Sequence, residues 1–297
     1  MGSYWQSGDG ILNLTNRLAK IPFLNRTVKA TIAWLPFFVR RTITEGVRSG
    51  IRKPLRFSGI YPAFESFPDA VHPPDSTRME FAQNGLASVK RDEMTGLPIL
   101  GNQHDLLPLA AAIIGQKVRI LDFGGSGGVD YLGLLRAARI EATYCVVETP
   151  ALCAIGRKLW PEDKRISFCE DMPPITERFD IVYACSSIQY VPDPIALMRQ
   201  FAEYEPRIIL IVYTPFAQRG FVRGQIGVGG NYPSWVVSLP ETEALMASVG
   251  YRLAFGVTEE TLLNVSNFPK EYRVDTMTTL LFVRPAAANS STDAAAG

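Results

Sequence analysis

The chain is poor in soft metal ligands, with four cysteines and two histidines among 297 residues. Cys145, Cys153, Cys169 and Cys185 form no C-x-x-C pair, and His72 and His104 show no metal-ligand spacing with them. No metal is therefore assigned, and the thiols are expected to be reduced packing residues. Long apolar runs are also missing. The longest in the first sixty residues, Ala30 to Val39, falls far short of the roughly 20 residues that a spanning helix needs. The N-terminus lacks the form of a cleavable signal, and Gln6 breaks the myristoylation pattern. There is no internal repeat and no nucleic-acid recognition motif. Even net charge is nearly absent, at +1.

That near-neutrality conceals an asymmetry. Residues 1–60 carry ten basic side chains against Asp9 and Glu45, so this segment is +8 and the remainder −7. Ile11, Leu14, Leu18, Ile32, Trp34, Leu35 and Phe37 interleave with the bases. Such a basic amphipathic arm suits the surface of an anionic bilayer. The alternative is an extension that packs on the rest of the chain with its bases solvated.

The stretch Lys117 to Glu148 is the richest in chemistry. Val118–Phe123 is an apolar run with β-branched and aromatic residues, hence a buried strand. It enters Gly124-Gly125-Ser126-Gly127-Gly128, where missing side chains permit positive φ and close approach of a ligand. A helical pattern follows through Tyr131, Leu132, Leu134, Leu135 and Ala138, then a second strand, Thr143–Val147, ending at Glu148. Strand, glycine turn, helix, strand and acid is the arrangement that sets a ribose against a carboxylate. The G-x-G-x-x-G dinucleotide spacing fails, since Asp130 or Ser126 stands where glycine is required. An acid, Asp122, stands two residues before the turn of Gly124 and Gly128, and a cofactor without a pyrophosphate needs no helix N-terminus aimed at phosphate. S-adenosylmethionine is such a cofactor, with Gly125 and Ser126 completing the candidate loop.

Further motifs extend the pattern: Ile166–Cys169 as a strand followed by Glu170-Asp171, then FDIVYACSSIQYVPDP from Phe179. Together these resemble the class I S-adenosylmethionine-dependent methyltransferases. The resemblance implies a Rossmann-like, mostly parallel seven-stranded sheet with an antiparallel last strand. It also implies that Gly124 and Gly128 hold the methionine end, Glu148 the ribose and Asp171 the adenine side, with Ser186 nearby. Gln189 and Tyr190 stand where many members carry a histidine pair. Adding SGIYPAFESFPDA, VVETP and IVYTPF narrows the resemblance to a methyltransferase family encoded among bacterial surface-polysaccharide and lipopolysaccharide biosynthesis genes. It covers roughly Ser58 to Arg284 and implies O-methylation of a sugar or lipid-linked glycan.

Four segments are expected: a basic extension (1–56), a Pro- and Gly-rich cap (57–104), the Rossmann-like domain (105–285) and a tail with nothing to bury (286–297). Between the fifth core strand and a helix near Glu241, residues 214–239 read as a long connection. Arg219, Arg223, Tyr232 and Trp235 make it a candidate acceptor lid, with a mobile surface loop as the alternative. His104, Gln189 and Tyr190 are the candidate catalytic groups, His104 because imidazole titrates near neutrality. A cytoplasmic enzyme, peripheral on the inner face of the membrane if the arm binds lipid, is the expected setting. Two rivals remain: a nicotinamide-dependent sugar oxidoreductase, and a non-catalytic Rossmann-fold adaptor at the membrane.

Overall fold

In the computed structural model the described residues are 55–68, 70, 90–92, 94–96, 98–99, 106–137, 140–227, 230–261 and 263–285. The basic extension up to residue 54, most of the cap including His104, and the tail lie outside them. All described residues belong to one unit, Leu55–Gly297. It opens with β1 (Leu55–Tyr61), then a short ladder of β2 (Lys90–Arg91) against β3 (Pro98–Ile99), then helix α1 (Leu106–Ile114). The core alternates β4 (Lys117–Phe123), α2 (Val129–Ala137), β5 (Glu141–Val147), α3 (Pro150–Leu159), β6 (Ile166–Cys169), β7 (Ile181–Cys185), α4 (Pro194–Glu203) and β8 (Ile208–Thr214). After it come β9 (Phe216–Ala217), β10 (Phe221–Gly227), β11 (Gly230–Ser238), α5 (Leu239–Ser248), β12 (Arg252–Glu260), β13 (Leu263–Asn264) and β14 (Thr276–Val283).

The main sheet has seven strands in the order β12-β14-β8-β7-β4-β5-β6. The five on the β6 side of the list run parallel, and β14 enters antiparallel between β8 and β12. This is the Rossmann-like architecture that the resemblance implies, down to the reversed last strand. Its central strands β7 and β8 are apolar on both faces, as a parallel sheet covered by helices requires, whereas the edge strand β12 is largely exposed. Ile120, Ile181 and Leu210 face α1 and α2 through Leu107, Ala111, Tyr131 and Leu134. Their neighbours Leu121, Val182 and Ile209 face α4 and α5 through Met198, Phe201, Leu245 and Met246. Two helices start where a side chain satisfies an orphan amide: Asp193 accepts from the Ala196 N–H, and Ser238 from the Glu241 N–H. The Ser238 cap is why α5 begins at Leu239, before the expected start near Glu241. The cysteines are all free, and the Cys145 and Cys169 thiols lie 3.1 Å apart on neighbouring strands.

Residues 214–239 depart from expectation. They are not a loop but three strands of a second sheet, ordered β13-β1-β10-β11-β9. Its β1 straddles the expected boundary between extension and cap at residues 56 and 57, and it pairs antiparallel with β10. Glycines at 220, 224, 227 and 230 obscure the strand pattern in the sequence. Gly224 is there for packing: a Cβ would run into the Phe67 ring and close to 3.1 Å from the Ser58 carbonyl. Among the described residues no helix is long and apolar enough to cross a membrane.

Candidate functional site

The carboxyl ends of β4, β5 and β7 meet at one edge of the sheet, where ligands bind in open α/β folds. Beyond β4 the chain turns through Gly124 at φ 75°, Ser126 at φ 52° and Gly128 at φ 82° before entering α2. The turn is tight enough to need its glycines. A Cβ on Gly124 would strike Ser187, and one on Gly125 the Asp122 carboxylate. On Gly128 it would come 2.8 Å from Ile166 and 3.0 Å from the Trp160 indole nitrogen. Ser126 occupies the left-handed region that serine tolerates only at some cost.

Glu148 is drawn against this turn. Its Oε1 accepts the Ser126 N–H at 3.2 Å and its Oε2 the Thr149 N–H at 2.8 Å. Each carboxylate oxygen can accept more than one bond. Gly124 N–H donates to the Val147 carbonyl at 2.9 Å, tying the turn to the end of β5. Trp160 Nε1 fixes the far side by donating to Gly127 at 2.8 Å. Asp171, in the bend after β6, is exposed.

Beneath the turn lies Asp122, fully buried. Its Oδ2 accepts from the Tyr144 hydroxyl at 2.9 Å, while Oδ1 has no partner. Burial first, then the charge of Asp130, pushes its carboxyl well above the usual range; Glu148 adds to this and the Tyr144 bond opposes it. Asp130 itself is buried and accepts from Tyr183 at 3.3 Å. A carboxyl that keeps its proton in the folded chain, and releases it in the unfolded one, makes stability fall as pH rises between those two titrations. Asp122→Asn removes that slope. Its melting temperature should gain on the wild type as pH rises from about 4 to 8, starting at the ordinary carboxylate pKa. Parallel melting profiles would show that Asp122 ionises in the folded chain as it does in the unfolded one.

At the end of β7, Ser186 adopts φ 51° and its hydroxyl accepts from Gln189 Nε2 at 3.1 Å. Gln189 is buried, and its Oε1 has no partner. Ser187 Oγ donates to the Phe123 carbonyl at 2.7 Å, locking this turn to β4. Tyr190 reaches the second sheet. Its hydroxyl donates to Gln225 Oε1 at 3.0 Å, Gln225 Nε2 donates to the Tyr232 oxygen at 3.0 Å, and the two rings meet edge-on at 5.6 Å. Tyr190 keeps 36% of its surface exposed, and the enclosure of its hydroxyl, with the Tyr232 hydroxyl second, pushes it up to about 12, so it is neutral at physiological pH.

The structure thus brings Asp122, Gly124, Gly125, Ser126, Gly128, Glu148, Ser186 and Gln189 to one edge. Tyr190 links that edge to the second sheet. The four acceptor candidates separate. Arg223 and Gln225 alternate along β10 on one face, with Tyr232 opposite Gln225. Trp235 belongs to the other face, and its indole donates to the Pro192 carbonyl at 3.0 Å. Arg219 is exposed in the turn before β10. Gln225, Tyr144 and Asp130 were not singled out from the sequence. Only a strand alternation through Arg223 and Gln225 could have marked Gln225, and the glycines hid it. Among the described residues no cluster of His, Cys, Asp or Glu could hold a metal ion.

No protein-family model matches the chain. No curated protein matches it either. Solved structures similar in shape include an S-adenosylmethionine-bound amino pentose methyltransferase of Micromonospora echinaspora. It shares 15% identity at a TM-score of 0.45, over 69% of this chain and 96% of that one. A methyltransferase of Streptomyces caelestis shares 12% at 0.43, over 63% and 97%. A sugar N-methyltransferase of a Streptoalloteichus species shares 13% at 0.39, over 62% and 87%. Likenesses this distant carry no inference about activity; the fold stated above stands on the strand order of the sheet.

Proposed function

We propose that the chain is an S-adenosylmethionine-dependent methyltransferase that O-methylates a sugar or lipid-linked glycan in bacterial surface-polysaccharide biosynthesis. The observation that carries the reading is Glu148 held beside a glycine turn that no side chain could enter, over the orphaned oxygen of buried Asp122. These residues fit the cofactor. Glu148 would accept both ribose hydroxyls, Gly124–Gly128 would pass its amino-acid end, Asp122 and Ser186 would flank that end, and Asp171 would lie by the adenine. When bound, S-adenosylmethionine supplies a methyl group already activated on a sulfonium, so much of the catalysis can come from alignment.

The residues that would align an acceptor are Gln189, whose buried Oε1 lacks a partner, and Tyr190 with Tyr232. Arg219 and Trp235 would lie further out. A sugar hydroxyl must also lose a proton, and Tyr190, neutral and donating its one O–H to Gln225, positions the acceptor in this scheme and does not take that proton. His104 is then the candidate base, and it lies outside the described residues. The basic arm would hold the enzyme on the inner face of the membrane, near lipid-linked acceptors.

Surface glycans from cells with and without the gene provide the test. Loss of an O-methyl group, restored by the wild-type gene, is expected; identical glycans would refute the acceptor class. Tyr190→Phe should lower turnover by about two- to tenfold, the worth of one hydrogen bond, while S-adenosylhomocysteine affinity stays level. Equal loss of both would assign Tyr190 to the cofactor.

A further inference from the structure

We propose that the acceptor carries an anionic group, a carboxylate or phosphate, received side-on by the guanidinium of Arg223. The proposal rests on the methyltransferase reading for what that anion belongs to. Arg223 is only 1% exposed, and its guanidinium carbon sits 3.7 Å from the centre of the Phe57 ring. Nη1 donates to the Val274 carbonyl at 2.8 Å. Nε and Nη2 have no partner. Those two nitrogens form one edge of the guanidinium plane, and their parallel N–H bonds match two oxygens of a carboxylate or phosphate.

The placement is costly without a ligand. A cation taken out of water is disfavoured unless paired and hydrogen-bonded, and Arg223 makes no ion pair among the described residues. Burial lowers it to about 10, opposed only by the Tyr190 hydroxyl, so the group stays charged at neutral pH. Phe57 covers one face of the plane and Val274 takes one corner, and the Nε–Nη2 edge is enclosed in the fold with no hydrogen-bond partner. On the same face of β10 stands Gln225, bonded to Tyr190 and Tyr232. Tyr190 in turn follows Gln189 at the cofactor edge. An acceptor whose anion rests on Arg223 and whose body lies along this tyrosine pair would reach toward Gln189 with a hydroxyl.

The test reads the Arg223 Nε–H signal in the proton–nitrogen spectrum of the full chain. The signal is assigned by its loss in Arg223→Lys, or by relief of the Phe57 ring current in Phe57→Leu should the lysine variant fail to fold. Sodium acetate, inorganic phosphate and neutral acetamide are titrated at matched ionic strength. A saturable shift with acetate or phosphate but not acetamide is expected, and the more effective anion identifies the group. No shift with either anion, or an equal one with acetamide, overturns the proposal and leaves Arg223 a structural charge only. Calorimetry with S-adenosylhomocysteine on the same sample separates the two claims. An anion shift without nucleoside binding would sink the methyltransferase reading and keep the anion site; nucleoside binding without an anion shift would do the reverse.

Discussion

Glu148→Ala should bind S-adenosylhomocysteine ten- to a hundredfold more weakly than the wild type. The carboxylate would accept charge-assisted hydrogen bonds from the ribose worth about 1.5–3 kcal/mol, which converts to that range of affinity. The mutation also releases the Ser126 and Thr149 amides that Glu148 now receives. Glu148→Gln separates these effects, because the amide oxygen can still accept one of those bonds while the charge is gone. Glutamine should recover part of the affinity. Titration calorimetry with both variants checks this, and an alanine variant that binds like the wild type would remove Glu148 from the site.

Phe201→Ala should cost about 3–5 kcal/mol of stability, as buried phenylalanines do when a cavity replaces the ring. Phe201 has no exposed surface and meets Phe123 edge-on at 5.6 Å. Phe123 is the last residue before the glycine turn, so α4 supports the site from below. At about 2–4 °C per kcal/mol for a unit of this size, the melting temperature should fall by roughly 6–20 °C. Phe255, 42% exposed on β12, provides the contrast. Its change to alanine should stay within about 0.5 kcal/mol. Equal melting shifts for the two would mean that the α4 face is not the core it looks to be.

The parallel sheet was legible because its strands are continuous apolar runs separated by turn residues and amphipathic helices, a period that survives any detail of packing. Asp122, the glycine turn and Glu148 were legible for a related reason. Their spacing is local, set by one strand–turn–helix–strand unit. The second sheet was not legible. Its pairings join β1 to β10 across more than 150 residues, and glycines interrupt the alternation that would have revealed β10. Gly224 reads as a turn residue yet makes room for Phe67. Arg223 reads as a residue of an acceptor lid and is buried on an aromatic ring in a strand instead, because a strand sends alternate side chains inward whatever their charge. Polar pairs such as Tyr190–Gln225 depend on that same distant register, so no spacing rule could announce them.

The central claim is that the glycine turn, with Glu148 beside it, takes S-adenosylmethionine. Titration of the wild-type full chain with S-adenosylhomocysteine, followed by competition with S-adenosylmethionine and with reduced nicotinamide dinucleotide, tests it most directly. One saturable site is expected, displaced by S-adenosylmethionine and untouched by the dinucleotide. No heat from S-adenosylhomocysteine, with saturable binding of the dinucleotide, would contradict it.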